Sequence, residues 1–80
     1  MNEYFTKCEA SEKMGRRIRT NVDFSGVTRG TEGVVVEIYS HQYPRKNWGV
    51  IIRWDLTHKL NDGFSKTEYE TYLEEITDDA

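Results

Sequence analysis

Trp48-Gly49-Val50-Ile51-Ile52-Arg53-Trp54 sends Trp48, Val50, Ile52 and Trp54 to one side of an extended chain and Gly49, Ile51 and Arg53 to the other. Alternation with period two marks a strand that turns one face to a core. Upstream, after Gly33, Val34-Val35-Val36-Glu37-Ile38-Tyr39 is dense in the β-branched residues that favour extended backbone. Its alternation assigns Val34, Val36 and Ile38 to the inner face, and Val35, Glu37 and Tyr39 to the outer one. Earlier still, Ile18, Thr20, Val22 and Phe24 alternate with Arg17, Arg19, Asn21 and Asp23. Three strands follow from one period. Ser25-Gly26 and Arg29-Gly30 punctuate the first connection, and Ser40 to Asn47, with Pro44, reads as a long hairpin loop.

Downstream the pattern changes. Asp55 to Gly63 reads as irregular, with a brief strand around Lys59-Leu60 and a turn at Asp62-Gly63. Ser65-Lys66-Thr67-Glu68 is a capping box, and Phe64 and Tyr69 hold the two positions of a hydrophobic staple. Tyr69, Tyr72, Leu73 and Ile76 then share a helical face, which predicts a helix at about residues 66–76. Glu74 and Glu75 oppose the dipole at its C-terminal end, so the helix is expected to fray there. At the other end, Thr6-Lys7-Cys8-Glu9 also fits a capping box, but residues 1–14 lack clear periodicity. They are expected to form a flexible or weakly helical arm ahead of a single domain at residues 15–80.

Short, sequence-adjacent strands of this kind make a mainly β domain: a small, curved antiparallel barrel with a C-terminal α-helix. Its expected core is Ile18, Val22, Phe24, Val27, Val34, Val36, Ile38, Val50, Ile52, Trp54, Leu56, Leu60 and Phe64. The helix is expected to cover an open barrel end or the face bearing Val35 and Ile51.

Composition narrows the classes. In 80 residues no apolar run approaches the ~18–20 that span a bilayer. No charged and then apolar leader marks secretion, so the expected location is cytoplasmic. One cysteine builds neither an internal disulfide nor a thiolate zinc site. Charge is divided unevenly: residues 1–60 carry ten bases and seven acids, residues 61–80 one base and seven acids, so +3 and −6 make up the net −3. Such asymmetry points either to a polyanion for the basic part or to an acidic helix that neutralises it. The second reading is favoured.

Gly15-Arg16-Arg17-Ile18-Arg19-Thr20, followed by Val27-Thr28-Arg29-Gly30-Thr31-Glu32-Gly33-Val34-Val35-Val36-Glu37-Ile38, resembles a KOW-type segment of an SH3-like barrel. Gly30 and Gly33 match the loop glycines of that pattern, Val34 to Ile38 its valine-rich strand, and Arg29 a position where the family usually has a base. The resemblance covers residues 15–38 and departs at Asn21 to Gly26, where the loop is longer. It implies an SH3-like barrel fold and binding of RNA or of protein.

Binding is also what the residues offer. Arg17, Arg19, Arg29, Arg45 and Arg53 are candidate phosphate contacts, with Tyr39 and Tyr43 available for stacking. The row Val35, Tyr39 and Ile51, beside Tyr43 and the loop of residues 41–46, is a candidate protein-binding patch. An unidentified protein is the favoured partner, with nucleic acid as the alternative and a homodimer through the same surface as a further expectation. No membrane partner is expected. A remote alternative is a barrel enzyme like the type II dihydrofolate reductases, whose Val-Gln-Ile-Tyr motif Val36-Glu37-Ile38-Tyr39 resembles in the wrong strand. No catalytic residue, cofactor or metal is expected: His41 and His58 lack ligand-spaced carboxylates, and Cys8, between Lys7 and Glu9, has no predicted general base.

Overall fold

The alternating stretch that ends at Trp54 is the centre of the structure, a computed structural model that describes residues 4–24, 26–41, 47–56 and 61–76. It forms β3 (Asn47–Trp54), paired along its length with β2 (Glu32–His41). On the far side of β2 lies β1 (Arg17–Thr20), and β4 (Asp62–Phe64) adds to the free side of β3. A fifth strand, β5 (Leu73–Glu75), pairs with β1 and gives the antiparallel order β4-β3-β2-β1-β5. Among the described residues two short helices are also present, α1 (Lys7–Glu12) and α2 (Lys66–Tyr72). The sheet curls into a half-barrel, mainly β, that fits a generic SH3-like barrel.

β1 and β3 follow their sequence pattern. Ile18, Thr20, Val50, Ile52 and Trp54 are buried, whereas Arg17, Arg19 and Arg53 are exposed. β2 does not. Val35, expected outside, is 1% exposed and belongs to the core, and Val34 and Val36, expected inside, are only half-buried. The cause is a β-bulge: Val35 pairs with Ile52 and Glu37 with the adjacent Ile51, leaving Val36 as the extra residue. One inserted residue reverses the in-out phase on its two sides. Ile38, beyond the bulge, packs against the core as expected.

The C-terminal segment departs further. Ser65 and Glu68 form the capping box, but α2 ends at Tyr72, and Leu73 is extended at φ −119°, ψ 151°. A helix continued to Ile76 would stack Glu74 and Glu75 at the negative end of its own dipole. As a strand, the same residues set Leu73 beside Thr20 and Glu74 beside Arg19. Tyr69 and Leu73 are buried, and Tyr72, from the same expected stripe, is 42% exposed. The negative charge that faces the barrel therefore comes from a strand.

The N-terminal segment has a definite place, and two other expectations are corrected. Phe5 is fully packed: it exchanges backbone hydrogen bonds of 3.0 and 3.2 Å with Trp48 and meets Tyr69 edge to face at 5.7 Å. This ties down α1, which starts from the Thr6–Glu9 capping box and buries Ala10. Leu56 is exposed, and Val22 only half-buried. Asp62 and Gly63 lie in β4, where Asp62 accepts a 2.7 Å hydrogen bond from the Trp54 indole. Leu60 and the expected strand at 59–60 lie outside the described residues.

Glycines shape the interior. A methyl group on Gly33 would lie 2.7 Å from the Arg53 carbonyl oxygen and 3.1 Å from the Trp54 ring. Gly33 faces Ile18 on one side and Trp54 on the other, and its bare Cα makes room for that indole.

Candidate binding surface

The outer face of the sheet is written by strand register. Arg17, Val34 and Arg53 form one row across β1, β2 and β3. Glu74, Arg19 and Glu32 form the next. Towards the other end, Glu37, Ile51 and Gly63 form a third, followed by the pair Tyr39 and Gly49. Val34, Tyr39 and Ile51 are each half-buried. The Tyr39 ring lies over Gly49 and Gly63, so close that a methyl group on Gly49 would stand 2.5 Å from its Cζ. Burial, and then the charge of Glu68 and the presence of Tyr4, push the Tyr39 phenol above its ordinary pKa. It stays a neutral hydroxyl at physiological pH.

The sequence-derived residues divide on this surface. Val35 is removed from it by the bulge, and Val34 takes its place. Tyr43 and Arg45 lie outside the described residues. Arg17 is held by two carboxylates, Glu32 at 2.9 Å and Asp55 at 2.7 Å, and Arg19 by Glu74 at 2.8 Å. Among the described residues Arg53 and Arg29 have no carboxylate partner within ion-pair distance. Arg53 sits beside Val34 on β3. Arg29 sits apart, in the β1–β2 loop, where its backbone amide donates to the Asp23 carboxylate at 2.5 Å. That loop turns at Gly26 and Gly30, whose φ values of 83° and 93° are natural only to glycine. Asp23, Phe24, Gly26, Val27 and Thr28 line a shallow concavity there of about 340 Å³.

A second cluster gathers around Glu75 of β5. The Glu75 carboxylate accepts hydrogen bonds from Lys13 at 2.9 Å, Arg16 at 3.1 Å and the Tyr69 hydroxyl at 2.9 Å. It thus joins the end of α1, the residue before β1, and α2 through one residue of β5. Burial by itself raises the Glu75 pKa, but the hydrogen bonds from Lys13 and Tyr69, and then the charges of Lys13 and Arg16, outweigh it and hold the carboxyl below its ordinary 4.5. Burial and the same bond push the Tyr69 hydroxyl strongly upward. A carboxyl whose folded pKa is depressed adds stability above its unfolded pKa and loses it as the pH falls through the folded value. Glu75→Gln is therefore expected to lower stability at neutral pH and to flatten the dependence below about pH 4.5. Urea melts of both chains from pH 7 down to acid unfolding check this; parallel pH curves would show that Glu75 carries no such coupling.

Among the described residues no three His, Cys, Asp or Glu side chains stand together as a metal site, and no helix is long and apolar enough to cross a membrane. No protein-family model, curated protein or solved structure matches the chain. The surface must be read from its own chemistry.

Proposed function

We propose that the chain is a non-enzymatic binding or adaptor module that meets a protein partner with its outer sheet face. The observation that carries this reading is how the charges are used. Arg17 and Arg19 are neutralised internally by Glu32, Asp55 and Glu74, while Arg53, beside half-buried Val34, has no carboxylate partner among the described residues. A tyrosine, branched apolar residues and one available arginine make the centre of a protein interface: apolar contact area with a single directional anchor. Partly exposed ion pairs such as these add little affinity and favour a partner of complementary charge.

Capture from a host extract tests it. Ile51→Asp and Arg53→Glu should each weaken binding of a captured protein by roughly 30-fold, as expected for residues at the centre of an interface. The captured species should resist nuclease. Binding unchanged by both substitutions would move the interface off this face.

A KOW-like nucleic-acid reading is the alternative, supported by the availability of Arg29 and Arg53 and by the resemblance of residues 15–38. It requires affinity that falls steeply with salt, since phosphate contacts release counterions. With Arg17 and Arg19 committed elsewhere and a net charge of −3, it is the weaker reading.

A further inference from the structure

β2 is paired on both sides only as far as its bulge. On the β1 side the last backbone bonds are Val35 N–H to the Arg16 carbonyl at 3.0 Å and Gly15 N–H to the Val35 carbonyl at 2.9 Å. Beyond them β2 runs on to His41 with β3 on one edge and, among the described residues, no strand on the other. The direction of the β2 peptide groups beyond the bulge, which have no strand partner there among the described residues, follows from β3. Trp48 spends its N–H and carbonyl on Phe5, on the side of β3 away from β2. Its register partner Ser40 is therefore in a non-hydrogen-bonded pair, and the Ser40 peptide groups point to the free edge of β2. Ile38, two residues earlier and opposite Val50, points the same way. Tyr39 and Glu37, between and before them, are turned to β3.

We infer that this edge, Val36 to Ser40, is a pairing edge for a second copy of the chain, joined antiparallel about a two-fold axis at Ile38. Three observations select a second copy. The segment Val36-Glu37-Ile38-Tyr39-Ser40 has neither the lysine nor the proline with which sheet edges are usually protected. Its antiparallel self-pairing is free of charge conflict: Ile38 faces Ile38, Ser40 faces Val36, and Glu37, the only charged residue, faces Tyr39 of the second copy. The two terminal edges, β4 and β5, are three residues long, and self-pairing of β5 would set the carboxylates of Glu74 and Glu75 against those of the copy. Pairing at β2 lets the two Ile38 residues exchange N–H to carbonyl bonds and makes one continuous sheet through both half-barrels. This surface is an edge, distinct from the outer face proposed above for a protein partner.

The full chain should sediment with a mass that rises towards the dimer as its concentration is raised. Ser40→Pro removes an amide that points away from β3 and so spares the β2–β3 ladder; it should weaken self-association by roughly tenfold or more. Should that variant fail to fold, Ser40→Lys places a charge on the same edge and should have the same effect. Hydrogen exchange of the unaltered chain supplies an independent reading. The Ile38 and Ser40 amides should gain protection with concentration, while those of Glu37 and Tyr39 stay protected throughout. Arg53→Glu should leave all of this unchanged, which separates a failure here from a failure of the outer-face reading. A monomeric mass up to about 1 mM overturns the inference. So does a dimer indifferent to both Ser40 substitutions, exchange at Ile38 and Ser40 that ignores concentration, or protection gained only from an added extended peptide.

Discussion

A chain ended at Gly63 is expected to lose its cooperative β-sheet signal in circular dichroism. The deletion removes three buried side chains, Phe64, Tyr69 and Leu73. Each contributes about 1.5–3 kcal/mol, so the loss is roughly 5–9 kcal/mol before any hydrogen bond is counted. A domain of this size has a total stability of about 4–12 kcal/mol. β1 would at the same time lose β5, its partner opposite β2, and with it the bonds from Asn21 N–H to the Tyr72 carbonyl and from Ile76 N–H to the Arg17 carbonyl. Phe5 would lose Tyr69, so the anchorage of α1 would weaken too. A truncated chain that still melts in one cooperative β transition would refute this account of where the stability resides.

Only part of this C-terminal segment was legible in the sequence. The capping box at Ser65 and Glu68 and the apolar stripe were legible locally, because they depend on neighbours three and four residues apart. The switch to extended backbone at Leu73 was not. It depends on Thr20, Arg19 and Ile18, some fifty residues away, which receive Leu73, Glu74 and Glu75 in register. Helical and extended readings of Leu73-Glu74-Glu75 both bury Leu73, so periodicity had nothing to decide between them.

The bulge in β2 was hidden for a related reason. Val34, Val35 and Val36 are chemically identical, and a run of valines has no polar member to show which parity faces water. Beyond it, Glu37 is exposed and Ile38 packs inward, as read. In β1 and β3, where arginine alternates with isoleucine, threonine or tryptophan, the faces were legible throughout. The same contrast governs the candidate surface. Tyr39, Ile51 and Arg53 were placed on the outer face from alternation alone, and Val35 was misplaced by one residue. Which arginines are paired was not legible, since Asp55 and Glu74 reach Arg17 and Arg19 only after folding. The net acidity of residues 61–80 did forecast that some bases would be neutralised, though not by which acids.

Trp54→Ala is the single substitution expected to do most damage. Trp54 is 3% exposed and stands at the corner of an aromatic triangle. Phe24 lies 5.5 Å away and Phe64 6.1 Å, both edge to face, and those two rings meet each other at 5.8 Å. Its indole N–H also donates to Asp62 at 2.7 Å, which fixes β4 against β3. Removing a buried tryptophan costs about 3–5 kcal/mol, because the surroundings relax only partly into the space left and Gly33 beside it has no side chain to help fill it. Trp54→Phe separates the contributions. It keeps most of the ring contacts, each worth about 0.5–1.5 kcal/mol beyond buried area, and gives up the bond to Asp62. Asp62 is only half-buried and stays in reach of water, so that loss should fall near the lower end of about 1–3 kcal/mol. Urea melts should rank the unaltered chain above Trp54→Phe and that above Trp54→Ala. If Trp54→Ala fell within about 1 kcal/mol of the unaltered chain, an ordinary cost for any substitution, the triangle would not be the centre of the core.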